Sequence, residues 1–194
     1  MIHQTDTKQI FKSMETNVSV WKANLVNGLI IGLIGVMFSL VTYFFDLTFN
    51  KWIAWVWIVL QLVIMFFLVK SYRDNYRHGF ITFGQALGAG MVICLYQAVI
   101  AAIFTYLLYK FIDANLVDKQ LAYIEGMMQE RGLPEEAIEL SMNMQKKLMI
   151  PEVMAPFSII ASMFYGLFMS LIIAAFVRRE GNPLIDATVA EPQK

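Results

Sequence analysis

The sequence predicts an all-α polytopic membrane protein: four transmembrane helices, with an extracytoplasmic helical hairpin between spans three and four. Three observations point there. Hydrophobic residues fill 58% of the 194 positions and charged residues 15%, against roughly half and a quarter in a soluble domain. Charge is segregated, leaving four long stretches with none. Each stretch is apolar on every face, and a chain of this size cannot bury four such helices against itself, so lipid must be their solvent.

Residues 1–22 precede the first stretch. Ile10, Phe11, Met14, Val18 and Trp21 share one helical face, with Lys8, Lys12 and Glu15 away from it. That pattern fits a cytoplasmic amphipathic helix in the headgroup layer; a polar tail with scattered apolar residues is the plain alternative. The long polar lead and the lack of a small-residue cleavage pattern argue against a cleavable signal peptide.

The four-helix transmembrane domain is placed at 23–177. Span one runs from Ala23 to Phe45, between Lys22 and Asp46. Span two, Trp52 to Val69, is short against the roughly 20 residues a crossing needs, which keeps a three-span reading with a buried hairpin open. Its Trp52, Trp55 and Trp57 favour a true span, because indoles gather at membrane–water interfaces. Span three lies at 83–109, where Thr82 and Gln85 have the spacing of a capping box. At about 1.5 Å per residue that helix approaches 40 Å, so it must tilt or protrude. Span four is Val153 to Val177, between Glu152 and Arg178.

The outer loop, 113–151, carries helix signals. Asn115 is placed to cap a helix ending near Arg131, and Gly132 suits the left-handed closing residue. Pro134 then takes a first helical position, with Glu135 and Glu136 favourable against the dipole of a helix reaching about Met149. Leu121, Ile124 and Met128 stripe the first helix; Ile138, Met142, Gln145 and Met149 stripe the second. Met127, Met128, Met142, Met144, Met149 and Met154 cluster here. Thioethers suit Cu(I), but no Cys or His stands nearby to complete a site, and Met also serves as gap-filler or as an adaptable partner surface.

Basic residues set the orientation. Lys8, Lys12 and Lys22, then Lys70, Arg73 and Arg77, then Arg178 and Arg179 flank the spans on one side, while basic residues on the other are sparse or outnumbered by acids. Both termini, including the tail 178–194, are therefore expected in the cytoplasm of a bacterium, with the protein in its inner membrane. Lys70, Arg73, Arg77, Arg178 and Arg179 are also candidate contacts for anionic lipid headgroups, though topology alone accounts for them.

Within the spans, small residues at four-residue spacing mark packing seams, since helices in lipid associate by close backbone approach. Span four offers Ser158, Ser162, Gly166, Ser170 and Ala174; span one offers Gly28 and Gly32, with Gly35 alongside; span three offers Gly84 and Gly88, then Ala98 and Ala102 farther along. Spacing does not say whether these close one bundle or join two copies. Gln61 and Gln97 are the deepest polar residues and are expected to bond each other across helices. No charged residue lies in the core of any span, which argues against ion coupling or intramembrane catalysis. Cys94 is the lone cysteine, and His3 and His78 are the two histidines, so no multi-thiolate or imidazole metal site is expected. No nucleotide-binding, nucleophile-elbow or zinc-protease motif occurs.

The run His78-Gly79-Phe80-Ile81-Thr82-Phe83-Gly84-Gln85-Ala86, with Tyr106 to Asp113 and the closing Gly166 to Arg179, resembles a bacterial family of four-span inner-membrane proteins catalogued as a domain of unknown function, number forty-one ninety-nine. The likeness extends from about residue 15 to 182. Ala114 stands where that family favours proline. The resemblance implies a four-helix integral membrane protein and no particular activity or catalytic residue.

The leading expectation is a non-catalytic accessory or scaffolding subunit of the cell envelope. The competitor is a small transporter or channel for a neutral or lipidic solute past Gln61 and Gln97. A membrane enzyme ranks third and would draw on Asp113 and Glu152. No cofactor is expected. The partners expected are the lipid bilayer, a second copy or other membrane proteins, and no nucleic acid.

Overall fold

The computed structural model describes residues 18–179. Among them are six α-helices and no strand: α1 Val20–Phe44, α2 Lys51–Tyr76, α3 Phe83–Leu107, α4 Leu116–Glu130, α5 Glu135–Leu148 and α6 Pro151–Val177. A π-helical turn, Leu108–Ile112, prolongs α3. Four helices, α1, α2, α3 with its π turn, and α6, are long and apolar enough to cross a membrane. The protein is a multi-pass membrane protein.

The spans lie where charge segregation put them, with boundaries that move for physical reasons. Helix α2 is not truncated at Lys70 but continues to Tyr76. Long basic side chains keep their heads in water while their stems stay on apolar surface, so Lys70 and Arg73 do not end a helix. Its start is fixed by Asn50, whose side chain accepts from the Trp52 amide at 2.9 Å. Four crossings thus replace the three-span alternative. Helix α1 begins at Val20 and absorbs Trp21, whose ring meets Tyr96 edge-on at 6.3 Å. Trp21 therefore belongs to the first span and not to a separate surface helix; Ile10, Phe11 and Met14, and the tail from residue 180, lie outside the described residues.

The capping box forms: Gln85 N–H donates to the Thr82 hydroxyl at 3.4 Å, and Thr82 N–H to Gln85 Oε1 at 3.2 Å. Helix α3 is the centre of the bundle, packed most extensively on α6 and next on α1, while α2 touches its neighbours sparsely. At the terminal end, where α1 begins and α6 finishes, Ile81 and Arg179 exchange backbone hydrogen bonds of 2.9 and 3.0 Å, and Arg73 donates to the Val177 carbonyl at 3.2 Å.

At the opposite end, α4 and α5 form the hairpin. Gly132 has φ +69°, the left-handed turn its sequence position demanded. Pro134 sits one place before α5, and its carbonyl receives the Ala137 and Ile138 amides. Asn115 occupies the cap position of α4 without a side-chain cap; Asp113 Oδ1 instead accepts from the Asn115 amide at 3.0 Å. Leu121, Ile138 and Met142 are buried between the two helices, with Ile124, Met128 and Met149 packed against them. Three of the clustered methionines thus fill the hairpin core, while Met144 points outward.

Candidate functional site: a cavity closed at one end

The four spans are packed differently in their two halves. In the terminal half all four helices contribute to one core, through buried Ile31, Met65, Val69, Ile93, Ile173 and Val177. In the hairpin half they part around a cavity of about 380 Å³. Its wall draws on α1 from Gly32 to Thr42, α2 from Ile53 to Gln61, α3 from Cys94 to Thr105, and Ser162 and Tyr165 of α6.

Small residues draw α3 and α6 together below the cavity. A β-carbon added at Gly166 would stand 2.8 Å from Cys94 Cβ, and one at Gly90 would stand 2.6 Å from Ser170 Oγ. The α3 side of this seam is Ala86, Gly90, Cys94, Ala98 and Ala102, every one buried and each four residues from the next. On α6, Gly166, Ser170 and Ala174 are buried, while Ser158 and Ser162 are half-buried and Ser162 faces the cavity. The seam is used inside one chain. Gly28 and Gly32 serve the second contact, of α1 on α3 through Tyr96 and Ile100.

Gly84 and Gly88, by contrast, take no part in a seam within this chain. An added β-carbon at either meets nothing within 4 Å. They lie off the Ala86–Gly90–Cys94 line, of which the sequence spacing picks out only the far end, Ala98 and Ala102.

Gln61 and Gln97 meet as expected, Gln61 Nε2 donating to Gln97 Oε1 at 3.0 Å. They form the floor of the cavity with Cys94 and Tyr165. The Tyr165 hydroxyl is shielded from solvent and has no hydrogen-bond partner. Trp57 is not an interface anchor like the exposed Trp52 and Trp55; it turns inward, its ring 4.9 Å from Phe38 and against Gly35. No charged side chain lines the cavity. Tyr165 and Trp57 are the site residues that sequence reasoning missed. A phenol deep in span four was the available signal for the first, and nothing marked which of three tryptophans would face inward.

The remaining candidates have other partners. Glu152 pairs with Lys110. Asp113 accepts from the Tyr43 hydroxyl at 3.4 Å and stands 3.6 Å from Lys119. Glu152 and Lys110 join α6 to the π turn of α3, while Asp113, between Tyr43 and Lys119, ties α4 to the bundle. Phe49, stacked on Tyr123 at 5.5 Å, and Tyr109, donating to Gln120 at 2.9 Å, tie α4 down as well. The basic residues gather at the terminal end: Arg77 bonds the Tyr72 hydroxyl at 3.1 Å, Arg179 lies over the Phe80 ring, and Lys70 and Arg178 are exposed.

Fold and site define a four-span α-helical membrane protein with a half-hollow bundle and a mounted hairpin. The chain belongs to the family described as "Protein of unknown function (DUF4199)", whose model matches residues 27–179. No curated protein and no solved structure matches it.

Proposed function

We propose that the chain is a non-catalytic accessory protein of the bacterial cytoplasmic membrane, with its termini inside and its hairpin outside, which holds or assists other envelope proteins. One observation carries the reading. Helix α5 is apolar on two sides: Ile138 and Met142 pack inward on α4, while Leu140, Met144 and Leu148 are 66%, 59% and 52% exposed. Those three stand four apart on a short helix whose mount is tied to the bundle at several points. An uncovered apolar stripe on a fixed support is the form a partner site takes.

The closed terminal half supports holding over passage, since a solute crossing beyond Gln97 would have to part the most tightly packed section of the bundle. The test is a photo-crosslinking residue at Met144 in living cells. The reading expects a discrete adduct with another envelope protein, lost in Leu140→Asp. A chain that crosslinks only to itself or not at all, and purifies from mild detergent as a free monomer, overturns it.

A further inference from the structure

We propose that the cavity is a binding site for an uncharged, elongated amphiphile that enters with a polar group, an amide or a hydroxyl, leading. This goes beyond the accessory role and does not depend on it.

Four features of the cavity specify that chemistry. Its wall carries no charge, so an ionised group at the floor would sit in a low-dielectric site with no counter-charge. Its height follows from the stretch of α3 that lines it, Cys94 to Thr105, about 16 Å at 1.5 Å per residue. With a volume of about 380 Å³, it is a shaft suited to a single chain.

The floor is polar. After their mutual bond, Gln61 and Gln97 retain amide hydrogens and an acceptor oxygen, and the Tyr165 hydroxyl is buried without a partner. A buried polar group left unpaired is destabilising, and a ligand that bonds it removes that penalty. A methyl-terminated tail arriving first would leave all three unmet, so the polar end leads. Above the floor, Trp57 and Phe38 supply apolar wall for the body of the molecule. Exposed Thr48 and Ala54 at the hairpin end of the lining give it an entrance there.

The test uses the full chain with Trp21, Trp52 and Trp55 changed to Phe, so that Trp57 is the sole tryptophan and is excited selectively, in phosphatidylcholine nanodiscs. Three probes brominated at the sixth carbon of a twelve-carbon chain are compared: a primary amide, a trimethylammonium and the plain hydrocarbon. The amide is expected to quench Trp57 saturably and at least about tenfold more tightly than either analogue. Gln97→Leu and Tyr165→Phe should each weaken it about tenfold, the loss of one buried hydrogen bond. Tyr165→Phe keeps the ring, so it tests the site even if Gln97→Leu does not fold.

Equal quenching by all three probes would show simple partitioning and overturn the proposal, as would amide quenching untouched by both variants. Quenching by mid-chain-brominated phosphatidylcholine that the amide does not displace would make bilayer lipid the occupant and overturn it too.

Discussion

Gly28 faces Tyr96 so closely that a β-carbon on it would stand 2.3 Å from the Tyr96 Cβ. Neither atom is the end of a flexible side chain, so the backbones of α1 and α3 would have to separate. Gly28→Ala should cost about 1–3 kcal/mol as overpacking, read as a lowered unfolding temperature in detergent. Gly32→Ala should cost less, because its nearest neighbour is the mobile Ile100 Cδ1 at 2.5 Å.

Gly84→Ala and Gly88→Ala should do the opposite. Both positions open onto free space, and replacing a helical glycine by alanine gains roughly 0.5–1 kcal/mol of backbone entropy. The same thermal measurement should show no loss of stability at either. A drop comparable to that of Gly28→Ala would mean these glycines touch something outside the chain.

On the other side of α3, Gly166→Val should disrupt the α3–α6 seam, because Cys94 Cβ already lies 2.8 Å from an added β-carbon. Strain of about 1–3 kcal/mol is expected, together with faster proteolysis at the terminal end, where α6 and Ile81 are clasped through Arg179.

The Gln61–Gln97 bond should show a coupling of roughly 0.6 kcal/mol, and under 2, in a double-mutant cycle with leucine at each position. The two side chains bond each other, so the double variant should be less destabilised than the two single effects added together. Strict additivity would mean that the pair does not interact in the bilayer.

Met142→Asp should melt the hairpin and leave the bundle. Met142 is buried among Leu121 and Ile138, apart from the membrane core. Burying an unpaired carboxylate there is strongly unfavourable. Hydrogen exchange should rise across α4 and α5 with little change in α1, α3 and α6.

Much of the fold is legible in the sequence because lipid solvation reports itself in unbroken apolar runs, and because Thr82, Gly132 and Pro134 encode local geometry that needs no tertiary knowledge. The Gln61–Gln97 contact was legible for the same reason: two deep amides in lipid have few alternatives to each other. The cavity was not. Whether helices touch or part depends on side-chain volume across facing positions, as at Trp57 and Gly35, and a single chain's periodicity does not record which residues face. Glycine spacing at Gly84 and Gly88 marks a face that no helix of this chain meets, because residues four apart identify a face without saying what covers it.

Cysteine labelling tests the central claim most directly, that the four apolar helices cross a bilayer with the hairpin on one side and the termini on the other. In a Cys94→Ala background, Asn143→Cys on α5 and Asn75→Cys near the end of α2, both exposed positions, are treated in intact cells with a membrane-impermeant maleimide. The expected result is labelling at 143 at once and at 75 only after permeabilisation. Equal labelling of both in intact cells, or labelling of 75 alone, would contradict the account.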